Sequence, residues 1–470
     1  MNELLKLLGF QDEEIPTELP RIEKAFGKLG ITSEDIERAK QRLERYYAVE
    51  LEGIRKVFRF IVRELVSSLL VREEGKKAVI YGFMSPGIEI IGSALVSRSK
   101  DVFSFYHCWA FHIVVGCVFG KMEPILEEAE KKWLKAGMVA HCANIKTLLG
   151  PLLLDIFPKP DLLVTSGILC EVSPKNLDLL HELYNVPVSS IDTCQDREVK
   201  EYADGTWRTA DLTAKSLRKT VEKIQGIVGF ELTDELLFEV QEAKSGMLKA
   251  LDRVKDLVTN SNPLTISPAH ENIWMCLNSL SLNITEIAEA TEVLNQLYGE
   301  LKERTAKGVG IVEKDAPRVL ATLPMGQTDP RLEHLASELG IAIVANDVIF
   351  SDPLPKKTKD PFLNICLVFQ HGMMSMPVGK RISMLIEGCK RLKIDGVLDR
   401  YHVGCRSVAA DALLIEKVVK RELGIPVMPL EWENFDPRVF RPEEYKRQLE
   451  GFKAMMLSSA ARKRASSDST

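Results

Sequence analysis

The residues of this chain best suited to chemistry are its nine cysteines, and their position tells more than their spacing. Four stand where an expected strand hands over to an expected helix. Cys108 follows Val102-Phe103-Ser104-Phe105, Cys170 follows Leu162–Ser166, Cys194 follows Val186–Asp192, and Cys405 comes shortly after Gly396–Asp399. Thiolates are soft ligands suited to iron–sulfur clusters, and a crevice at strand ends can bury several of them together. The remaining cysteines read differently. Cys276 and Cys389 fall within helical stretches, while Cys117 and Cys366 sit in apolar runs. Free cysteine packs as a small hydrophobe, so these four are expected in the core. No CxxC pair exists, so zinc-ribbon and ferredoxin spacings are absent.

Other chemistry is offered more sparsely. His402-x-x-Cys405 has the spacing of half a zinc site, and His141-Cys142 is a second such pair. Glu89, just after Pro86-Gly87, opens an expected helix whose dipole favours a carboxylate there. Glu89 and His402 are the candidates, by position, for a catalytic acid or base. There is no GxxxxGK[ST] phosphate cradle, no GxSxG nucleophile elbow and no HExxH zinc pair. Gly308-Val309-Gly310 lacks a preceding strand and a third glycine, and reads as a turn.

The elements that must position these residues form an α/β chain of two doubly wound, Rossmann- or flavodoxin-like lobes with parallel sheets. Residues 1–75 are rich in Glu, Lys, Arg and Leu at helical spacing, with Thr32-Ser33-Glu34-Asp35 as a helix start. Residues 76–205 alternate short apolar runs with helical stretches, the pattern of a buried parallel sheet. Residues 206–310 read as a helical connector. A second α/β lobe follows over 311–457, with Gly340, Gly396 and Gly424 expected as helix C-caps. Residues 458–470 have no apolar periodicity and read as a disordered tail. In such sheets ligands sit beyond the carboxyl ends of the strands, where the four cysteines lie.

Composition excludes several classes. The 470 residues are 45 % hydrophobic and 27 % charged, with a net charge of −5, so no basic field points to nucleic acid. The most apolar windows, Phe58–Val71 and Trp109–Phe119, are too short to span a bilayer. An odd cysteine count and no apolar leader fit reduced thiols in the cytoplasm.

The ordered series of segments resembles the 2-hydroxyacyl-CoA dehydratase and benzoyl-CoA reductase subunits. The features are Pro86-Gly87-Ile88-Glu89, Cys108 before an apolar helix, Pro160–Ser166 with Cys170 and Lys175, Asp395-Gly396-Val397, Cys405-Arg406, and Gly424–Glu431 with Asp436-Pro437-Arg438. The resemblance covers about residues 76 to 455. It implies a [4Fe–4S] cluster on Cys108, Cys170 and Cys405, with one iron left open to a thioester oxygen. It also implies an acyl-CoA substrate that receives one electron, a separate ATP-hydrolysing iron–sulfur activator protein, and either a homodimer or a related second subunit. Relatives with a double-cubane cluster reduce small molecules instead, and Cys117, Cys142 and Cys194 are compatible with them. Glu171 departs from the short polar residue that many members carry. A non-catalytic partner subunit, or a zinc protein using His402 and Cys405, is the reading from another class.

Overall fold

The structure is a computed structural model that describes residues 1–83, 85–106, 108–135, 142–167, 172–193, 205–322, 328–350, 356–372, 376–402 and 405–467. Cys170, Glu171, Cys194 and His141 lie outside the described residues.

Four helices open the chain: α1 (Asn2–Leu7), α2 (Ile15–Lys28), α3 (Ser33–Tyr46) and α4 (Glu52–Leu70). The start of α3 is a capping box. Thr32 Oγ1 accepts from the Asp35 amide, and the Asp35 carboxylate accepts from the Thr32 amide at 2.8 Å. The first lobe is β1 (Ala78–Phe83), α5 (Ile88–Arg98), β2 (Val102–Tyr106), α6 (Trp109–Phe111) running into a π-helical turn (His112–Val118), α7 (Met122–Lys135), α8 (Ala143–Leu153), β3 (Leu162–Ser166), α9 (Val172–Tyr184) and β4 (Val188–Ile191). The helices α10 (Gly205–Val228), α11 (Asp234–Asn260), α12 (His270–Ser279) and α13 (Ile284–Ala306) connect it to the second lobe. That lobe is β5 (Arg318–Ala321), α14 (Arg331–Glu338), β6 (Ala342–Asn346), α15 (Pro361–His371), α16 (Val378–Arg391), β7 (Gly396–Tyr401), α17 (Arg406–Leu423), β8 (Val427–Glu431) and α18 (Pro442–Ser467).

Both sheets are parallel and four-stranded, in the orders β2-β1-β3-β4 and β6-β5-β7-β8. The same order in each lobe puts the carboxyl ends of the first and third strands side by side twice over. The strands are apolar on both faces because helices cover both faces. One face of the first sheet shares a core with α1–α4, the π-helical turn, α12 and α13, so the opening helices have no core of their own. Its other face packs on α5 and α10 and also takes Phe362, Ile365 and Cys366 from α15, a helix of the second lobe's β6–β7 crossover. The second sheet lies between α16 and α17 on one side and α14 and α18 on the other.

Two sequence expectations need correction here. Gly340 and Gly424 take the left-handed backbone of helix C-caps, but Gly396 begins β7 instead, and Lys393 is the left-handed residue before it. Gly396 is needed for packing: a Cβ there would stand 2.7 Å from both the Phe452 ring and the Met456 sulfur of α18. That helix runs on through Ser467, into the stretch read as a disordered tail.

Candidate functional site

At the carboxyl edge of the first sheet, β2 ends at Tyr106 and Cys108 follows with φ of +46°, a left-handed backbone that a β-carbon disfavours. The turn aims the thiol inward, leaving Cys108 only 4 % exposed. Its Sγ lies 3.6 Å from His112 Nε2 and 3.8 Å from the Thr147 carbonyl oxygen of α8. Thr147 Oγ1 donates to the Asn144 carbonyl at 2.9 Å, so at 2.7 Å from His112 Nε2 it accepts from that nitrogen. Burial pushes the Cys108 thiol well above its ordinary range. A thiol so buried keeps its proton. Glu89 lies in the first turn of α5, half-buried at the same edge, and burial raises its carboxyl while the Lys244 ammonium opposes the rise.

At the carboxyl edge of the second sheet, Cys405 is the N-cap of α17 and its amide donates to the His402 carbonyl at 2.9 Å. His402 is buried, and its Nε2 meets the Glu433 carboxylate. Beneath them Asp399 of β7 is 2 % exposed and accepts from Thr322 Oγ1 at 2.7 Å. Burial raises its carboxyl to about 6 against the pull of Thr322 and Arg381, with the Asp347 and Asp411 charges adding to the rise. Arg381 bonds Asp347 at 2.7 Å and Asp411 at 2.9 Å, which ties the turn after β6 to α16 and α17. An open groove of about 560 Å³ lies beyond β7 and β8, walled by Tyr401, His402, Trp432, Glu433, Arg438 and Tyr445.

The two edges meet on the segment after β8. Phe435 stacks on Trp109, centroids 6.0 Å apart, and stands 5.0 Å from the His112 ring. Arg438 binds Glu130 of α7 at 2.8 Å and Asp436 at 2.6 Å. The Phe435 amide donates to Glu433 at 3.4 Å, so one short segment touches the Cys108–His112 corner on one side and His402 on the other.

Residues 106–456 match the family described as 2-hydroxyglutaryl-CoA dehydratase, D-component. The chain belongs to that family. A comparison with curated proteins finds no significant match. Two solved structures are similar at a low level. One is the Zn(II)-bound ZnuA-like domain of AdcA from Streptococcus pneumoniae, at 11 % identity over 81 % of this chain and 99 % of that one, with a TM-score of 0.19. The other is the laminin-binding protein Lbp of Streptococcus pyogenes, at 11 % identity over 81 % and 98 %, with a TM-score of 0.17. TM-scores this low carry no argument.

Of the residues singled out from sequence for the dehydratase site, the structure describes Glu89, Cys108, His402 and Cys405 at the carboxyl edges of the two sheets. Among the described residues no three His, Cys, Asp or Glu side chains are grouped to hold a metal ion, and the third expected ligand, Cys170, lies outside them. Cys117, Cys276, Cys366 and Cys389 are buried in the core, as their apolar settings imply. Sequence reasoning missed His112, which stands four residues after Cys108 on a helical stretch, a legible spacing. It also missed Glu433 and Phe435, which have no local signature: Glu433 meets His402 across the ends of β7 and β8, and Phe435 meets His112 only where the lobes come together.

Proposed function

We propose that this dehydratase component binds a [4Fe–4S] cluster through Cys108, Cys170 and Cys405 and acts on a 2-hydroxyacyl-CoA thioester in the crevice between the two sheet edges. The observation that carries this reading is Cys108. A strained backbone turns a buried thiol toward the corner lined by Trp109 and His112, which Phe435 closes from the other lobe. The residues present fit such a group: Cys108 and Cys405 are soft donors at strand ends, one dry and one partly open. When bound, the cluster supplies one-electron transfer and a Lewis-acid contact for the thioester oxygen.

The chain's own residues do the rest. Trp109 and Phe435 exclude water from the Cys108 corner. His402, held by Glu433, keeps or moves a proton at Nε2 beside the groove. Glu89 does the same at the first edge. The electron comes from a separate ATP-hydrolysing activator protein, and a second copy or a related subunit completes the enzyme. The described residues include no helix long and apolar enough to cross a membrane.

Anaerobic purification followed by metal analysis tests this. The expected result is a brown protein with about four irons per chain, reduced by more than half in Cys108→Ser or Cys405→Ser. About eight irons would transfer the chain to the double-cubane reductases. One zinc and no iron would point to His402 and Cys405 as a zinc site, and a folded, metal-free, colourless protein would sink the reading.

A further inference from the structure

Beside the first sheet, two oppositely charged side chains from two helices, Lys244 and Glu64, converge on one peptide group. Lys244 of α11 is 2 % exposed, and its ammonium donates to the Leu280 carbonyl at 2.7 Å and the Asn278 carbonyl at 3.1 Å. Glu64 of α4 accepts from the Ser281 amide at 3.3 Å. The Leu280 carbonyl and the Ser281 N–H belong to the same peptide unit, so ammonium and carboxylate grip opposite ends of one polarised amide. The helix α5 seats directly on this corner, since a Cβ on Gly92 would stand 2.3 Å from Ser281 Oγ. Glu89 precedes Gly92 by three residues and shares its helix face. It is also the point where α5 reaches the carboxyl edge between β1 and β2. The buried hydroxyls of Ser104 and Ser281, both against Gly92, have no hydrogen-bond partner among the described residues, and they give the corner a polar lining.

We propose that Glu64, Lys244 and Glu89 form one proton store around the buried Lys244, with Glu89 the end that exchanges a proton with the crevice and Lys244 the residue that positions its charge. Two carboxylates and one ammonium carry a net negative charge when fully ionised, which is costly in an apolar surround. One added proton makes the set neutral. Burial raises both carboxyls, Glu64 to about 8, and lowers Lys244 to about 8, while the carboxylates and the ammonium oppose those shifts in each other. Such a set titrates as a unit. Glu286 also faces Glu64, Tyr106 and Cys366 face Glu89, and Cys276 faces Glu64. The step is a proton transfer alone: Glu89 passes between carboxylic acid and carboxylate while Lys244 stays an ammonium. Its catalytic use rests on the crevice being the acyl-CoA site, but the store itself does not.

The test uses the full chain and the variants Glu64→Gln, Lys244→Met, Lys244→Arg and the charge-neutral double variant Glu64→Gln/Lys244→Met, which covers a failure of Lys244→Met to fold. Infrared spectroscopy at neutral pH should show the carbonyl stretch of a protonated carboxyl. That band should vanish in Glu64→Gln and persist to higher pH, by about one unit or more, in Lys244→Met. With an acyl-CoA substrate, the pH profile of kcat should shift the same way in Lys244→Met and return toward wild type in Lys244→Arg. A missing band, or one indifferent to Glu64→Gln, overturns the store whatever the activity. A band that behaves as expected in a chain without dehydratase activity supports the store and overturns the functional reading instead.

Discussion

Cys108 and Asp399 show how single residues carry cost at the two sheet edges. A left-handed backbone at a non-glycine residue costs on the order of 1–2 kcal/mol, and Cys108 bears it where its thiol turns toward the other lobe. Asp399 is costly in its charge. Its folded pKa of about 6 lies above its ordinary 3.8, so between those values the folded chain binds more of the proton than the unfolded chain does. Asp399 therefore withdraws stability as pH rises from about 4 to 6, at most about 3 kcal/mol. An Asp399→Asn variant, whose Oδ1 still accepts from Thr322, should escape this loss. Thermal melts should show its Tm rising relative to wild type across that window and holding level above it.

At the scale of elements, the helices depend on a few specific abutments. The N-terminal helices are tied to α12 by His270, which accepts from the Ala48 amide at 3.1 Å and donates from Nδ1 to the Ser267 carbonyl at 2.7 Å. Burial lowers His270 from 6.5 to about 4. Here the sign is reversed: the unfolded chain binds the extra proton, so stability is fully present above pH 6.5 and drains as pH falls toward 4. Urea titrations should show wild type losing stability relative to His270→Gln over that range. In the second lobe, Gly396→Ala should cost about 1–3 kcal/mol, because its β-carbon would overlap Phe452 and Met456. Hydrogen exchange should quicken in α18 first.

At the scale of the whole molecule, the site exists only because two lobes with the same strand order present their carboxyl edges to one connecting segment. Phe435 is the residue that touches both edges, its ring against Trp109 and His112 and its amide on Glu433. Phe435→Ala should lower stability by about 3–5 kcal/mol. It should also reduce iron retention under anaerobic conditions with the circular dichroism spectrum unchanged. Full iron content in a folded Phe435→Ala chain would show that the corner closes without it.

The local elements were largely legible in the sequence, because apolar runs of strand length and capping residues such as Thr32 act on their immediate neighbours. The strand-end positions of Cys108 and Cys405 were legible for the same reason, and so was the buried setting of Cys117 and Cys366. Lys244 left a trace too: it shares a helix stripe with Val240, Met247 and Leu251, an apolar face where a lysine must find partners. Which partners it finds was not legible. The meeting of Lys244 and Glu64 on the Leu280–Ser281 peptide, the approach of Phe435 to His112, and the placing of α15 in the first lobe's core are long-range contacts. Sequence patterns record which face of an element is apolar; only the packed chain decides which distant polar groups must share that apolar interior, because the cost of burying charge appears only when the faces close.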